Sequence, residues 1–222
     1  VLDVPRPGVT PTDLLYDVVA VPGALARYRR DGGLWSGLAK ILLTGTVPGV
    51  VLGAVVRVTL LPDGSLFRVL VAVFLLPFGL WLLFHGTRAP SPSIGMRTST
   101  LVGLGFAAGL IGGIYGIGGG SLLAPVLAVG GYALAEVAPA ALLSTFVTSC
   151  VGAVAYLAID VTGVAGSAPH WALGFACGLG GLVGGYLGAG LQPHVPQRAL
   201  RLLLGALAVA LSLSYLVVAA RR

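Results

Sequence analysis

Charge is what this sequence has least of. Asp, Glu, Lys and Arg make up 9% of its 222 residues, while 57% are hydrophobic and the mean hydropathy is +1.00. A soluble domain carries roughly a quarter charged residues. The deficit excludes a water-soluble globule, because too few charges remain to cover a solvated surface. Cysteine is nearly absent too: Cys150 and Cys177 each fall inside a predicted span, which excludes a disulfide framework or a zinc site. The net charge of +6 does not point to nucleic acid, since the basic residues sit singly or in small groups at predicted helix ends and form no basic face. The first apolar stretch is preceded by Asp3, Arg6 and Asp13 and contains Pro22, which is not the pattern of a cleavable signal peptide.

The gaps between charges carry the architecture. There are 19 charge-free residues between Arg68 and Arg88, 38 between Arg97 and Glu136, 23 between Glu136 and Asp160, 37 between Asp160 and Arg198, and 19 between Arg201 and Arg221. A membrane-crossing helix needs about 20 apolar residues. These runs are continuous, whereas a β-barrel would need segments of about ten residues alternating in polarity. The sequence therefore predicts an all-α, polytopic transmembrane helical bundle. Seven apolar segments are expected, at 11–26, 34–56, 66–84, 98–111, 137–159, 171–191 and 198–218, with a short apolar piece at 121–129 after a glycine-rich break.

An internal repeat organises these segments. Pro11-Thr12-Asp13-Leu14-Leu15 matches Pro139-Ala140-Ala141-Leu142-Leu143, an offset of 128 from position 11 to position 139. Gly49-Val50-Val51-Leu52-Gly53-Ala54 matches Gly184-Gly185-Tyr186-Leu187-Gly188-Ala189, an offset of 135 from position 49 to position 184. A proline follows each glycine pair (Pro62 and Pro196), then a Leu/Val-rich segment. The first and fifth segments are thus equivalent, as are the second and sixth and the third and seventh. The expected division is a first, incomplete repeat at 1–97 and a second at 98–222. The glycine-rich stretch 98–125 has no counterpart before Pro11, and a complete first copy would need roughly 28 further residues upstream. Secondary transporters commonly show such duplication, with the binding site where the copies meet.

The candidate site is the break itself: Gly116, Gly118, Gly119, Gly120 and Ser121, inside the 38-residue charge-free stretch. Consecutive glycines interrupt a helix. In hydrocarbon an interrupted backbone must be buried in protein or line a water-filled cavity. A helix starting at Ser121 would present free N–H groups and a partial positive charge, which suits a small oxyanion. The other reading is a re-entrant turn that only packs helices. Neither Gly103 to Gly109 nor Gly113 to Gly120 follows a strand in a βαβ unit, and no Lys follows the glycines, so no nucleotide-phosphate loop is present.

On the fifth segment, Ser144 and Thr145 with Thr148 and Ser149 form two i, i+4 hydroxyl pairs. They could donate to an anion or bond carbonyls within the bundle. By the repeat, Tyr16 and Asp17 fall where Ser144 and Thr145 fall. Asp17 is the one carboxylate expected inside a helix, which makes it the candidate for proton coupling. Asp160, Glu136, His170 and His194 fall at predicted helix ends. No paired catalytic carboxylates, His-Glu-x-x-His helix or nucleophile elbow occurs, so no enzyme, metal or cofactor is expected.

The run Gly113-Ile114-Tyr115-Gly116-Ile117-Gly118-Gly119-Gly120-Ser121-Leu122-Leu123-Ala124-Pro125 resembles the signature of the sulfite exporter TauE/SafE family. Residues 141–145 are similar to that family's next helix, and Tyr16-Asp17-Val18-Val19-Ala20-Val21-Pro22 with Arg27-Tyr28-Arg29-Arg30 resembles its first copy. The resemblance implies a multi-pass inner-membrane permease of two four-helix-like repeats, exporting or importing sulfur anions such as sulfite, sulfoacetate and other organosulfonates. The sequence departs from that pattern in lacking a first-copy glycine signature. The expected function is secondary transport of a small anion, sulfite or an organosulfonate. The alternative is a non-transporting membrane assembly protein or a truncated, inactive remnant. The expected partners are the lipid bilayer and a small anionic substrate, with no nucleic acid. Homo-oligomerisation, direction of transport, coupling ion and the relative orientation of the repeats stay open.

Overall fold

The computed structural model describes residues 9–30, 36–60, 96–130, 132, 134–161 and 169–191, with scattered positions between 76 and 84 and between 202 and 217. Among these residues the chain is helical, with no strand. The helices are α1 (Val9–Arg30), α2 (Gly37–Thr59), α3 (Thr98–Tyr115), α4 (Gly119–Val129), α5 (Leu134–Val161) and α6 (Trp171–Leu191). The expected third and seventh segments lie largely outside the described residues.

Four helices are long and apolar enough to cross a membrane: α2, α3, α5 over Glu136–Val161, and α6. The 22 residues of α1 have similar reach, about 1.5 Å per residue, but carry Asp13, Asp17 and three arginines. Two expected boundaries shift for clear reasons. The first segment runs on to Arg30 because arginines at a helix end reach the interface without breaking it. The fourth runs through Gly112 and Gly113 and stops only at Tyr115, so the earlier glycine pair is helical rather than part of the interruption.

Contacts divide the chain into two compact units, Val1–Pro62 with Pro90–Gly190, and Asp63–Ala89 with Leu191–Arg222. Each unit draws on residues from both sides of position 97, so this partition is a different division from the one expected at 97/98. In the smaller unit, Gly205 packs against Leu83 and the Gly79 carbonyl.

In the larger unit, glycine decides which helices touch. Gly45, Gly49 and Gly53 recur every fourth residue on α2 and meet Val102, Phe106 and Leu110 of α3 in order. Gly109 and Gly113 of α3 meet Thr46 and Val50 of α2 in return. A Cβ at any of these five positions would overlap a carbonyl of the facing helix. The ascending order on both sides means that α2 and α3 run parallel, packed backbone to backbone as small-residue repeats allow in lipid.

A similar seam joins α6 to α1. Gly174, Gly178 and Gly181 meet Leu15, Val19 and Ala20, and a Cβ at Gly23 would overlap the Leu182 carbonyl. These two helices are also parallel. The opposite side of α6 is exposed, with Leu179, Val183 and Leu187 all more than half accessible, as a lipid-facing surface would be. The apolar core gathers Val21 and Leu25 of α1, Leu38 and Leu42 of α2, Leu101 of α3, Leu123 and Leu127 of α4, and Val137 and Leu143 of α5.

Candidate functional site

The helix break is built from two glycines in left-handed conformation. Gly116 ends α3 at φ 81°, and its N–H donates to the Gly112 carbonyl at 2.7 Å. Gly118 follows at φ 65°. Side chains are strained there, so glycine is required. The chain then reverses: Gly119 approaches Gly109, and Gly130 and Tyr132 lie beside Met96 at the start of α3. α3 and the 11-residue α4 therefore form a re-entrant hairpin.

The protein itself satisfies the exposed ends of this break. At the end of α3, the fully buried Tyr156 donates its hydroxyl to the Gly113 carbonyl at 2.8 Å, and Thr10 donates to the Ile114 carbonyl at 3.3 Å. Helix geometry leaves the first amides of α4 without carbonyl partners. The Gly119 N–H donates to Thr148 Oγ1 at 3.0 Å, and Thr148 in turn donates to the Ser144 carbonyl at 2.7 Å. Ser144 Oγ lies 3.0 Å from Thr46 Oγ1 of α2. Thr46, Ser144, Thr145, Thr148 and Ser149 are all buried, a hydroxyl layer wrapped around the start of α4.

Asp17 joins this layer from α1. Its Oδ2 accepts a hydrogen bond from Ser149 at 3.1 Å. A Cβ placed on Gly118 would lie 3.2 Å from that same oxygen, 3.1 Å from Ser149 Oγ, and against the Thr145 methyl. Residues 132 positions apart in sequence thus converge on the second left-handed glycine.

The predicted residues divide accordingly. Asp17, Gly118, Gly119, Gly120, Ser144 and Thr145 are brought together, with Gly120 so close to α5 that a Cβ would overlap the Ala141 carbonyl. Gly116 and Ser121 stand at the edges of this group. The Gly116 N–H closes the last turn of α3 on the Gly112 carbonyl. The Ser121 side chain is exposed, and its hydroxyl turns back to the Ile117 and Gly118 carbonyls at 2.8 and 2.9 Å. The Gly119 amide is taken by Thr148, so a protein group already accepts the first hydrogen bond of α4. A cavity of about 270 Å³ lies against α1 and α6, lined by Thr12, Asp13, Tyr16, Leu173, Gly174 and Cys177. Among the described residues, no three His, Cys, Asp or Glu side chains gather as metal ligands.

Sequence reasoning missed Thr46, Thr10, Tyr156 and Arg57. Thr46 was legible in principle, since it lies next to Gly45 on the packed face of α2 and faces Gly109. Arg57 was read as one more charge at a helix end. It is only 4% exposed, with Tyr115 and Tyr156 as electrostatic neighbours.

Fold and site together define a polytopic helical membrane protein whose polar side chains meet at an interrupted helix. The chain belongs to the sulfite exporter TauE/SafE family, whose family model matches residues 1–215. Members of this family are membrane transporters rather than enzymes. Neither a comparison with curated proteins nor one with solved structures gives a match.

Proposed function

We propose that the protein carries a small sulfur oxyanion, sulfite or an organosulfonate, across the inner membrane, binding it at the α3–α4 break. The observation that carries this reading is the convergence of Asp17, Ser149 and Thr145 on Gly118, beside the amide end of α4. The Gly119 N–H is held by the Thr148 hydroxyl. An arriving anion replaces Thr148 as the acceptor of the Gly119 N–H, and Gly120 and Ser121 supply the next amides of the same turn. Ser144 and Thr145 complete the shell with their hydroxyls.

Asp17 makes the binding conditional. An anion about 4 Å from an ionised carboxylate is opposed by about 4 kcal/mol at an effective dielectric near 20. The anion therefore binds when Asp17 is protonated, and each anion travels with a proton. Asp13, one turn earlier on α1, is the neighbouring charge. The arginines at the end of α1 and Arg97 at the start of α3 lie at one end of the bundle, which is cytoplasmic by the distribution of basic residues.

The test is flux in proteoliposomes with a panel of sulfur oxyanions and sulfonates, with and without a pH gradient. Gradient-driven flux of one of them, lost in Gly119→Val, supports the reading. No flux for any of the panel, from protein that is folded and inserted, rejects it. The bond from Gly119 to Thr148 favours one rival specifically: a hairpin that only packs α2 against α5. That rival predicts that Thr148→Val alters stability and leaves no transport to alter.

A further inference from the structure

We infer that the two sequence repeats are inverted in the membrane, related by a two-fold axis lying in the membrane plane between α1 and α5. The inference rests on the repeat, with Pro11 to Leu15 equivalent to Pro139 to Leu143 and Gly49 to Ala54 equivalent to Gly184 to Ala189. It does not depend on which substrate is carried.

Helix directions follow from contacts taken in order. On α1 and α5, Thr10 bonds Tyr156, Leu14 packs on Gly152, and Asp17 bonds Ser149. As numbers rise on one helix they fall on the other by equal steps, so α1 and α5 are antiparallel. On α2 and α5, Thr46 meets Ser144 and Val50 meets Gly152, so these run parallel. On α1 and α6, Leu15 meets Gly174, Val19 meets Gly178 and Ala20 meets Gly181, also parallel. It follows that α2 and α6 are antiparallel to each other. Both equivalent pairs, α1 with α5 and α2 with α6, point in opposite directions.

Copies related by an axis along the membrane normal would keep equivalent helices pointing the same way. Opposed directions require an axis in the membrane plane. The register of the α1–α5 contact brings Val19 opposite Val147, which are also equivalent by the repeat, and the axis passes there. Asp17 and Thr145, again repeat equivalents, lie half a turn to either side. The polar layer at the break therefore surrounds the symmetry axis, where the copies can exchange conformations and turn the site from one face to the other. The re-entrant hairpin is what permits this, since α3 and α4 enter and leave on the same side and leave the orientation of α5 free to oppose that of α1.

The test is one-sided thiol labelling of the full-length protein carrying Cys150→Ser and Cys177→Ser. Single cysteines are placed at equivalent helix starts, Gly37→Cys on α2 and Ala172→Cys on α6. Both sites are exposed, and no atom lies within 4 Å of the added Cβ at Gly37. A second pair marks the far ends of α1 and α5, Arg29→Cys and Val161→Cys, both exposed. A membrane-impermeant maleimide is applied to right-side-out and inverted vesicles. Within each pair, the two positions should label from opposite faces. Labelling of both members of either pair from the same face overturns the inference. The readout needs no flux, so it stands or falls separately from the anion reading.

Discussion

The hydroxyl layer under α4 and the cavity beside α1 fall at corresponding positions of the inferred repeat, and they are built differently. Thr12, Asp13 and Tyr16 line the cavity. Their equivalents, at the offset of 128, are Ala140, Ala141 and Ser144, which lie against α4, with Gly120 pressed on the Ala141 carbonyl. Where a helix docks, these three residues are small, and the hydroxyl among them, Ser144, is bonded to Thr46. Where the cavity lies, the same positions carry a hydroxyl, a carboxylate and a phenol. A face that must admit a backbone keeps only small side chains, because a single added methylene is felt in a packed interior. The face that keeps Asp13 is suited to water, which can solvate a carboxylate that hydrocarbon would not. On the inferred repeat, one copy supplies packing and the other supplies polar access.

The strongest way to break this comparison is to put bulk into the packed side. Gly109→Leu would drive a side chain into the Thr46 backbone, and neither helix can yield cheaply. Overpacking of this kind costs about 1–3 kcal/mol and more against rigid backbone, so a clear fall in thermal stability in detergent is expected. Gly180→Leu, which meets no atom within 4 Å, should leave the melting curve unchanged. Equal losses in the two variants would show that the α2–α3 seam is not special.

Next in size is Asp17→Asn. The amide keeps a partner for Ser149 and has no charge to gain or lose. A pH gradient should no longer drive net flux, while exchange of labelled anion for unlabelled anion persists. Retention of gradient-driven flux would detach Asp17 from coupling. Smaller again is Thr148→Val, which removes the acceptor of the Gly119 N–H without changing shape. A stability loss of about 1 kcal/mol is expected from a buried donor left without its partner. Anion added at saturating concentration should restore part of it, because the ligand takes the acceptor's place.

Much of the fold was legible because lipid enforces it. Charge-free runs long enough to span gave the helices, and five of the expected segments match helices to within a few residues at each end. The glycine run marked the interruption, although the sequence could not say that Gly112 and Gly113 stay helical while Gly116 turns. That choice depends on α2, whose Val50 and Ala54 lie against Gly113 and hold it in register. The site was half legible. Asp17 and the α5 hydroxyls stood out as polar groups in apolar helices. Their meeting at Gly118 depends on the antiparallel register of α1 and α5, which no local pattern encodes. The fate of the Gly119 amide was equally hidden, since a threonine 29 residues away satisfies it.

The smallest expected effect, and the one that tests the wet side of the comparison, is Asp13→Asn. Asp13 and Asp17 are one turn apart on α1, about 6 Å along the axis. If water fills the cavity, the two charges interact through a dielectric near 80, worth about 0.7 kcal/mol at that distance. Half a pH unit corresponds to about that energy. Removing the Asp13 charge removes that repulsion, so the midpoint of the flux–pH profile should move down by about half a unit. The maximal rate should be unchanged, since the amide keeps the size and shape of the carboxyl it replaces. Were the cavity dry, an effective dielectric near 20 would make the same interaction about 3 kcal/mol, and the midpoint would move by about two units. A large shift would therefore mean that α1 and α6 enclose a second packed interior like that under α4, and the division of labour between the copies would be wrong. A small downward shift is what a hydrated approach to Asp17 requires.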